Sequence, residues 1–256
     1  MSITSKRIVV LPDIHVPNHE EIALRPILKF IKFYKPDTLV QLGDFCDWDS
    51  VSSYDLKCKE DLITVEHEVA SSNYLLDDLD KTSGRKCQKI MIGGNHEARL
   101  TKFIASDRYN NQVKKMVELT SWQKSYNLDK RGWQHCEYGG HFNIGKIIFT
   151  HGWYASGNAA SKMAQCFPGK NVIFGHTHKH LIHGCMDENN LPIETESIGT
   201  LSRFDLSYLD GRPPIDWIHS FMYIDMSNNG TFSKHYVRVI NGSFVEYGKR
   251  FGCEVI

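Results

Sequence analysis

The amino-acid sequence predicts an α/β fold, and two patterns along the chain carry that prediction. Up to residue 92, short apolar runs alternate with amphipathic helical patterns in the order β-α-β-α-β. After residue 178 the pattern changes to short alternating strands, with turn sequences at residues 228–230 and 241–242. The first pattern predicts a parallel sheet with right-handed crossovers, and we expect the antiparallel tail to form a second sheet against it.

The first predicted strand covers residues 7–11, a buried apolar run that Pro12 ends. Asp13 and His15 follow directly, so a carboxylate and an imidazole lie beyond the carboxyl end of this strand. Asn18 has capping-box spacing to a glutamate three residues later, and an amphipathic helix is predicted to follow.

The second and third predicted strands also lead into polar residues. Residues 38–42 form the second strand, which leads to Asp44 and, three positions later, to Asp47. An amphipathic helix is predicted at residues 62–79, and residues 89–92 form the third strand. That strand opens into the sequence Gly93-Gly94-Asn95-His96-Glu97.

The segment from about residue 98 to residue 131 interrupts this alternation. It has a helical pattern without a strand signal, and it is moderately basic, beginning with Arg99 two residues after Glu97. We interpret it as a helical insertion that packs over the carboxyl edge of the sheet. No Pro-, Gly- or Ser-rich linker precedes the tail, so we expect residues 1–256 to form a single domain.

Two further apolar runs end in histidines. Residues 146–150 lead to His151, and residues 172–174 lead to His176 and His178. In an extended chain, positions i and i+2 place both imidazoles on one face, roughly 6–7 Å apart. That span can serve two metal ions about 3.5–4 Å apart, with one histidine to each. The alternative is a polar strand end whose histidines form local hydrogen bonds.

Five predicted strand ends therefore carry residues of the metal-ligand type. Each has an ordinary alternative, because an aspartate can cap a helix, an asparagine can form a turn and a histidine can hydrogen-bond locally. In open α/β sheets, however, sites form in the crevice outside the carboxyl ends of the strands, so these groups should converge. We interpret them as one site. The residues are Asp13, His15, Asp44, Asn95, His96, His151, His176 and His178.

In order and in residue type, these motifs resemble those of the calcineurin-like metallophosphoesterases. The resemblance covers residues 13–178 and rests on five motifs. They are Asp13-x-His15, Gly43-Asp44-x-x-Asp47, Gly94-Asn95-His96-Glu97, His151-Gly152 and Gly175-His176-Thr177-His178. The resemblance implies a two-sheet α/β/β/α sandwich, in which mixed sheets are flanked by helices. It also implies a hydrolase that cleaves phosphoester bonds at a two-metal site.

The resemblance assigns a role to each motif residue. One metal would be held by Asp13, His15 and His178, the second by Asn95, His151 and His176, and both by Asp44. Mixed carboxylate and imidazole ligands suit transition metals better than magnesium or calcium. We therefore expect two divalent transition metal ions, with manganese favoured and iron, zinc or nickel as alternatives.

In the chemistry that this resemblance implies, the two cations share a bridging water and lower its pKa, so that a hydroxide attacks the phosphorus in line. His96 would not be a ligand. It would lie by the leaving-group oxygen as a general acid or charge stabiliser, and Asp47 would favour its charged form.

The residues around the motifs bear on the substrate. Protein phosphatases of this superfamily have Arg-Gly after the second motif, where this chain has Trp48 and Asp49, and that arginine would have gripped a phosphomonoester dianion. Glu97, which is commonest in the protein-phosphatase group, points the other way. We favour a phosphodiesterase acting on nucleotide or nucleic-acid substrates. Arg99 could contact a phosphate, and Trp48 and Trp153 could stack on a base, although a surface arginine and ordinary aromatic packing are the alternatives.

Two other hypotheses stay open on the sequence. The first is a phosphomonoesterase for phosphoproteins or small phosphates. The second is a non-enzymatic scaffold that keeps the fold but has lost its site, and the complete set of motifs argues against it. The metal-dependent phosphoesterase is the hypothesis that the motifs favour as a group.

Composition narrows the compartment and the partners. The chain has 30 basic and 30 acidic residues, so no overall field favours nucleic acid or an anionic membrane. Its seven cysteines include no C-x-x-C pair, which predicts free thiols in a reducing compartment. No apolar run approaches the length of a membrane span. We expect a cytoplasmic protein whose partner is a phosphoester substrate and not a membrane; the oligomeric state is not indicated.

Overall fold

A computed structural model describes residues 5–52, 63–105, 121–206, 209, 214 and 216–253 of the chain. The predicted alternation of strands and helices is confirmed in its first half. These elements are β1 (Lys6–Leu11), α1 (Glu21–Tyr34), β2 (Thr38–Gln41), α2 (Val65–Ser83) and β3 (Gln88–Ile92).

The remaining elements follow the third strand. They are α3 (Glu97–Ala105), α4 (Trp122–Ser125), α5 (Leu128–Arg131), β4 (Trp133–Cys136), β5 (His141–Ile144), β6 (Ile147–Thr150), α6 (Ala159–Cys166), β7 (Asn171–Phe174), β8 (His180–Met186), β9 (Pro192–Ile198), β10 (Ser220–Met226), β11 (Phe232–Arg238), β12 (Ser243–Glu246) and β13 (Lys249–Gly252). Helices α3, α4 and α5 lie in the predicted insertion, whose residues 106–120 are outside the described part of the chain. The single-domain boundary stays a prediction.

The strands form two mixed sheets and a hairpin. The first sheet has the order β11-β10-β1-β2-β3-β4, in which β1 to β4 are parallel and β10 and β11 are antiparallel additions. The second sheet has the order β5-β6-β7-β9-β8, with β6, β7 and β9 parallel. Strands β12 and β13 pair as a hairpin beside α1, where Lys29 Nζ donates to the carbonyl of Gly252 at 2.9 Å.

The alternation of side chains along the strands explains how the layers stack. In β1, Ile8 and Val10 enter a buried cluster between the two sheets, together with Phe149 of β6. Their neighbours Val9 and Leu11 enter the cluster that also holds the apolar faces of α1 and α2. Helix α6 packs on the other side of the second sheet, against Phe174. The layers are therefore helices, first sheet, second sheet and helix, which confirms the α/β/β/α sandwich of mixed sheets.

Three features of the strands correct the sequence-based predictions. The tail is divided, because β8 and β9 join the second sheet while β10 and β11 extend the first, where β10 pairs with β1. The expectation that the tail alone forms the second sheet is therefore wrong. Strands β4 and β5 were not expected, since each has mostly polar or half-buried residues and lies at a sheet edge. The predicted last strand is a two-stranded hairpin.

A membrane-spanning helix is not found in the described part of the chain, because none of its helices combines the necessary length and apolar character. The six cysteines in the described part are free thiols, in agreement with the expectation from their spacing.

Phe30 of α1 lies at the centre of an aromatic cluster in the core between the helices and the first sheet. Its ring is fully buried and lies 5.1 Å from the ring of Phe221 and 5.4 Å from that of Phe251, measured between centroids. We expect Phe30→Ala to lower the free energy of unfolding by about 3–5 kcal/mol, because it leaves a cavity among these rings. Tyr74→Ala is the control, since Tyr74 is 73 % exposed and should change stability little. Chemical denaturation measures both; equal effects would contradict the packing argument.

Candidate metal centre

The polar residues predicted at the strand ends meet at one edge of the sandwich. Strands β1, β2 and β3 are neighbours in the first sheet, and β6 and β7 are neighbours in the second. Because these strands run parallel within each sheet, their carboxyl ends lie together, and the segments after them face each other across the two sheets. The structure thereby brings together all eight residues that the sequence analysis placed in one site.

One group consists of Asp13, His15 and His178, whose side chains are all buried. His178 Nε2 lies 3.2 Å from Asp13 Oδ2 and 2.9 Å from His15 Nε2. His15 Nε2 is 4.0 Å from the same carboxylate oxygen. Two imidazole nitrogens and a carboxylate oxygen therefore point at one small volume, which is the arrangement that a divalent cation requires.

A second group consists of Asp44, His151 and His176, with Asn95 beside it. His151 Nε2 lies 3.4 Å from Asp44 Oδ2 and 2.9 Å from Asn95 Oδ1. His151 is oriented by its other ring nitrogen, Nδ1, which lies 3.0 Å from the carbonyl oxygen of Leu42. This carbonyl accepts from Nδ1 in the tautomer that leaves Nε2 free to bind a cation.

Asp44 lies between the two groups. It also belongs to a third set with His15 and His96, in which one ligand-type atom from each residue lies within 4.8 Å of the others. Its Oδ1 accepts a hydrogen bond from the backbone N–H of His96 at 2.8 Å. Asp44 thus reaches both His15 of the first group and His151 of the second.

The backbone turns sharply at these positions. Four of the site residues have left-handed backbone angles, which cost non-glycine residues of the order of 1–3 kcal/mol each and cluster at functional sites. They are His15 (φ 61°), Asp44 (φ 48°), His176 (φ 66°) and His178 (φ 59°). Each turn redirects the chain directly after a strand, so that the side chain points across the gap between the sheets.

Glycines of the motifs make room for the carboxylates. A Cβ added to Gly94 would lie 2.1 Å from Asp44 Oδ1, and one added to Gly175 would lie 2.2 Å from Asp13 Oδ1. Backbone N–H groups hold both carboxylates in place. Asp44 accepts from His96, and Asp13 accepts from His176 at 2.9–3.0 Å. The glycines of two motifs are therefore explained by close packing against candidate metal ligands.

Asp47 contacts more than the partner predicted for it. Its Oδ1 lies 2.7 Å from His15 Nδ1, and its Oδ2 accepts from Asn18 Nδ2 at 2.7 Å. Its Oδ1 is also 3.2 Å from His96 Nδ1, although that nitrogen has no partner of hydrogen-bond geometry among the described residues. Asn18 is therefore part of the site and not the predicted helix cap, a position that Glu20 occupies. Asp47 therefore orients the candidate ligand His15 and lies beside the His96 ring.

The titration of the site follows from burial and close charges. Burial disfavours the charged form of His15, but Asp47 and the other carboxylates outweigh burial and raise its pKa to about 9. Burial also disfavours the charged form of His151, but Asp44 and Asp13 outweigh burial and raise its pKa to about 9. Burial and the neighbouring His151 lower the pKa of His176 to about 4. The carboxylates thus favour the charged form of His15 and His151, but they do not outweigh burial at His176.

These residues fit the two-metal site that the motif resemblance implies. Burial favours the neutral form of Asp13 and Asp44, yet His151 and the other histidines hold the pKa of both carboxyl groups below their usual range. Two buried carboxylates are therefore ionised next to imidazole nitrogens, and His178 Nδ1 is a buried nitrogen without a partner among the described residues. A set of carboxylate, imidazole and amide donors suits a divalent transition metal.

Three residues were predicted to contact the substrate. Arg99 lies in the site, since its Nη1 donates to the Asp47 carbonyl and to Asp49 Oδ1, both at 2.7 Å. Its Nη2 is 3.1 Å from His96 Nε2. Trp48 is only 1 % exposed and donates to the Tyr126 hydroxyl at 2.9 Å, so the prediction that it stacks on a base is wrong. Trp153 is half-buried and stacks on Phe167, and its substrate contact stays a prediction.

One basic residue at the end of the insertion, Arg131, has structural partners. Arg131 pairs with Asp77 at 2.6 Å and with Asp80 at 2.8 Å, and its Nε donates to the Tyr126 carbonyl. These contacts fasten the end of the insertion to α2. Arg131 therefore gives no support to a contact between the insertion and a nucleic-acid substrate.

Sequence reasoning missed one aromatic residue at the site, Trp217. Its ring lies 4.2 Å from that of His178 in an edge-to-face arrangement, and the next residue, Ile218, donates its N–H to the His178 carbonyl at 3.1 Å. Lys179 and Asp216 form an ion pair at 2.5 Å alongside. No motif or spacing connects residue 217 with the strand ends, so the sequence offered no signal for it.

Among the comparisons with known proteins, the match to a family model agrees with the motifs. A family model described as calcineurin-like phosphoesterase matches residues 6–180, a range that contains every member of the two groups. A search of curated proteins found no match. Similar solved structures include a single mutant of Vps29 from Entamoeba histolytica, at 15 % identity and TM-score 0.43, covering 97 % of this chain and 99 % of that one. Vps29 from Cryptosporidium parvum has 15 % identity and TM-score 0.47, with 96 % and 94 % covered. YfcE, a phosphoesterase from E. coli, has 13 % identity and TM-score 0.39, with 90 % and 98 % covered.

The contact of Gly175 with Asp13 makes a testable prediction. Gly175→Ala should displace the Asp13 carboxylate and weaken binding of one manganese ion about 10- to 100-fold, the range observed when the support of a metal ligand is lost. Gly184→Ala is the matched control, because no atom lies within 4 Å of its added Cβ. Calorimetric titration with Mn²⁺ measures both variants. Unchanged binding by Gly175→Ala would show that Asp13 does not hold a metal.

Proposed function

The chain belongs to the calcineurin-like phosphoesterase family, and on that premise we propose that it is a two-metal phosphodiesterase acting on nucleotides or nucleic acid. The observation that carries the proposal is the pair of buried ligand groups on either side of Asp44. The family and these His and Asp clusters support metal-dependent phosphoester chemistry, and the preference for diesters is the finer proposal.

The proposed metal ligands follow the two groups. Asp13, His15 and His178 would hold one cation, Asn95, His151 and His176 the other, and Asp44 both. When bound, two divalent cations supply a nucleophilic oxygen of lowered pKa and neutralise the charge on the phosphoryl oxygens. We propose manganese, because a mixed oxygen and nitrogen donor set accepts it.

His96 is proposed to hold the proton that the leaving group receives. Its Nε2 lies 3.8 Å from Asp44 Oδ2, so the ring faces the space between the metal groups. Asp47 Oδ1 lies on the opposite side of the ring, 3.2 Å from Nδ1. His96 would release a proton from Nε2 to the departing oxygen. Arg99 Nη2 lies 3.1 Å from that nitrogen and can only donate, so the guanidinium would first have to move away.

The surroundings of His96 favour a phosphodiester. Arg99 is the nearest described guanidinium, 3.1 Å from the His96 ring, but Asp49 lies 2.7 Å from its Nη1 and neutralises its charge. A phosphodiester carries one negative charge, whereas a phosphomonoester can carry two and needs more positive charge from the protein. Trp217, whose ring lies against His178, supports a substrate with an aromatic group such as a base.

One observation favours a phosphomonoesterase as the second candidate. The Arg99 guanidinium lies close enough to His96 to reach a phosphoryl oxygen, provided that it leaves Asp49. It would then supply the charge that an arginine after Asp47 supplies in the protein phosphatases. A non-enzymatic scaffold finds less support, since the described residues include every ligand of both proposed cations.

Substitutions in the centre separate metal binding from proton transfer. We expect His96→Ala to keep two manganese ions and to lower kcat about 10²- to 10⁴-fold, because it removes a proton donor and no ligand. Asp44→Asn should instead bind fewer metal ions, since it removes the shared carboxylate charge. Metal analysis of the purified variants and turnover with added Mn²⁺ check both. A His96→Ala variant with wild-type turnover would contradict the role of His96, and a wild-type protein without metal or hydrolysis would favour the scaffold.

Synthetic substrates test the preference for diesters. The wild-type protein should hydrolyse bis-p-nitrophenyl phosphate faster than p-nitrophenyl phosphate. Arg99→Ala should lower kcat/KM for the diester by less than about tenfold, because Asp49 already neutralises the guanidinium. Lys102→Ala, an exposed position on the same helix, is the control. Preference for the monoester, together with its loss in Arg99→Ala, would contradict the diesterase and support the second candidate.

A further inference from the structure

Glu97 is a buried carboxylate next to the metal groups. The proposed reaction does not use it. It begins α3 and is 1 % exposed. It accepts hydrogen bonds from four backbone N–H groups in two different loops. They are those of Gly94 at 2.8 Å, Asp44 at 3.0 Å, Phe45 at 3.1 Å and Cys46 at 3.1 Å.

Each oxygen of Glu97 accepts from two backbone N–H groups. Oε2 accepts from Asp44 and Gly94, and therefore connects the loop after β2 with the loop after β3. Oε1 accepts from Phe45 and Cys46, the two residues after Asp44. Hydrogen bonds to an ionised acceptor are about twice as strong as those between neutral groups, and burial strengthens them further. Four of them offset part of the cost of burying the charge, while burial and the nearby Asp44 still hold the pKa of Glu97 above its usual value.

These loops carry Asp44 and Asn95. The same loops are connected a second time, because the N–H of His96 donates to Asp44 Oδ1 at 2.8 Å. Glu97 thus holds the main chain of Asp44, while His96 holds its side chain. The left-handed angle of Asp44, φ 48°, is maintained by contacts on both sides.

From this geometry we infer that Glu97 is a positioning residue that sets the separation of Asp44 and Asn95, and so the fit of the cation site they share with His151 and His176. The inference rests on the proposed function, since it concerns the second of the two proposed cations. The first cation site shares Asp44, but its other ligands, Asp13, His15 and His178, belong to loops that Glu97 does not contact in the described structure. That site should therefore depend on Glu97 less than the second site does.

The insertion protects this carboxylate from water. Tyr126, between α4 and α5, is fully buried, and its hydroxyl lies 3.4 Å from Glu97 Oε1. The same hydroxyl accepts from Trp48 Nε1, and the Tyr126 ring lies 5.5 Å from that of Phe45. The end of the insertion therefore closes over Glu97 from the side opposite the metal groups. Exclusion of water keeps the four amide contacts strong.

Glu97→Gln tests the inference with almost no change of volume. The amide NH₂ would face two N–H donors in either orientation, so two of the four hydrogen bonds are lost. We expect calorimetric titration with Mn²⁺ to show one site within about threefold of the wild-type affinity and the other weakened about 10- to 100-fold. Two sites of wild-type affinity in a folded Glu97→Gln protein would overturn the inference.

Asp80→Asn is the matched control for a general loss of stability. Asp80 of α2 is a carboxylate with three side-chain partners, which are Lys89 of β3, Arg131 of α5 and Trp133 of β4. It lies away from the metal groups. This variant should lower the Tm and still bind two manganese ions. If Glu97→Gln lowers the Tm similarly and also keeps both affinities, Glu97 has a structural role alone.

Glu97→Asp keeps the test decisive if the glutamine variant does not fold. It retains the charge, but its side chain is one methylene shorter and cannot reach all four N–H groups. We expect selective weakening of the same single site, and two wild-type affinities would again overturn the inference. The wild-type titration separates the two levels of proposal. A wild-type protein that does not bind two cations contradicts the proposed function, whereas two cations in both wild type and variants contradict the positioning role alone.

Discussion

The buried negative charge of Asp13 and Asp44 is the constraint on which the site depends. Charge in a protein interior is costly unless hydrogen bonds and opposite charges compensate it. Backbone N–H groups supply part of this compensation, from His176 to Asp13 and from His96 to Asp44. Both donors lie directly after strands of different sheets. Because Asp13 follows β1 of the first sheet and its donor His176 follows β7 of the second, this compensation requires the two sheets to end at the same edge, which connects the sandwich architecture to the chemistry.

The sandwich also maintains a strained arrangement. Four site residues have left-handed backbone angles that are unfavourable for side chains other than glycine. Isolated loops would relax, but here each loop is joined to a neighbour, as when Ile14 and His15 both donate to the Asp44 carbonyl at 3.0 Å. Behind them, the cluster between the sheets fixes the strand ends. Packing energy from the core thus maintains a geometry that the local sequence alone would not favour.

Sequence patterns predicted the strand ends well because each is a local signal, an apolar run followed by a polar group. They could not predict which strands pair, and so β10 and β11 appear beside β1 and not in the second sheet. Contacts between distant residues were also beyond them. Asn18 has the spacing of a cap, yet it binds Asp47, and Trp217 lies on His178 without any motif. Such long-range contacts form only when the sheets are assembled, and they leave no periodic pattern in the sequence.

The side chain at the position after Asp47 can either contact the substrate or pack in the core, but not both. In this chain Trp48 occupies it and is directed inward, where its indole N–H donates to the Tyr126 hydroxyl that lies next to Glu97. A residue committed to that contact cannot also reach a phosphate. The guanidinium near His96 comes instead from Arg99 on α3, held by the carbonyl of Asp47 and the carboxylate of Asp49. Asp49 would have to release Arg99 before this guanidinium could bind a second phosphoryl charge, and on this ground we propose a monoanionic diester and not a dianionic monoester as the substrate.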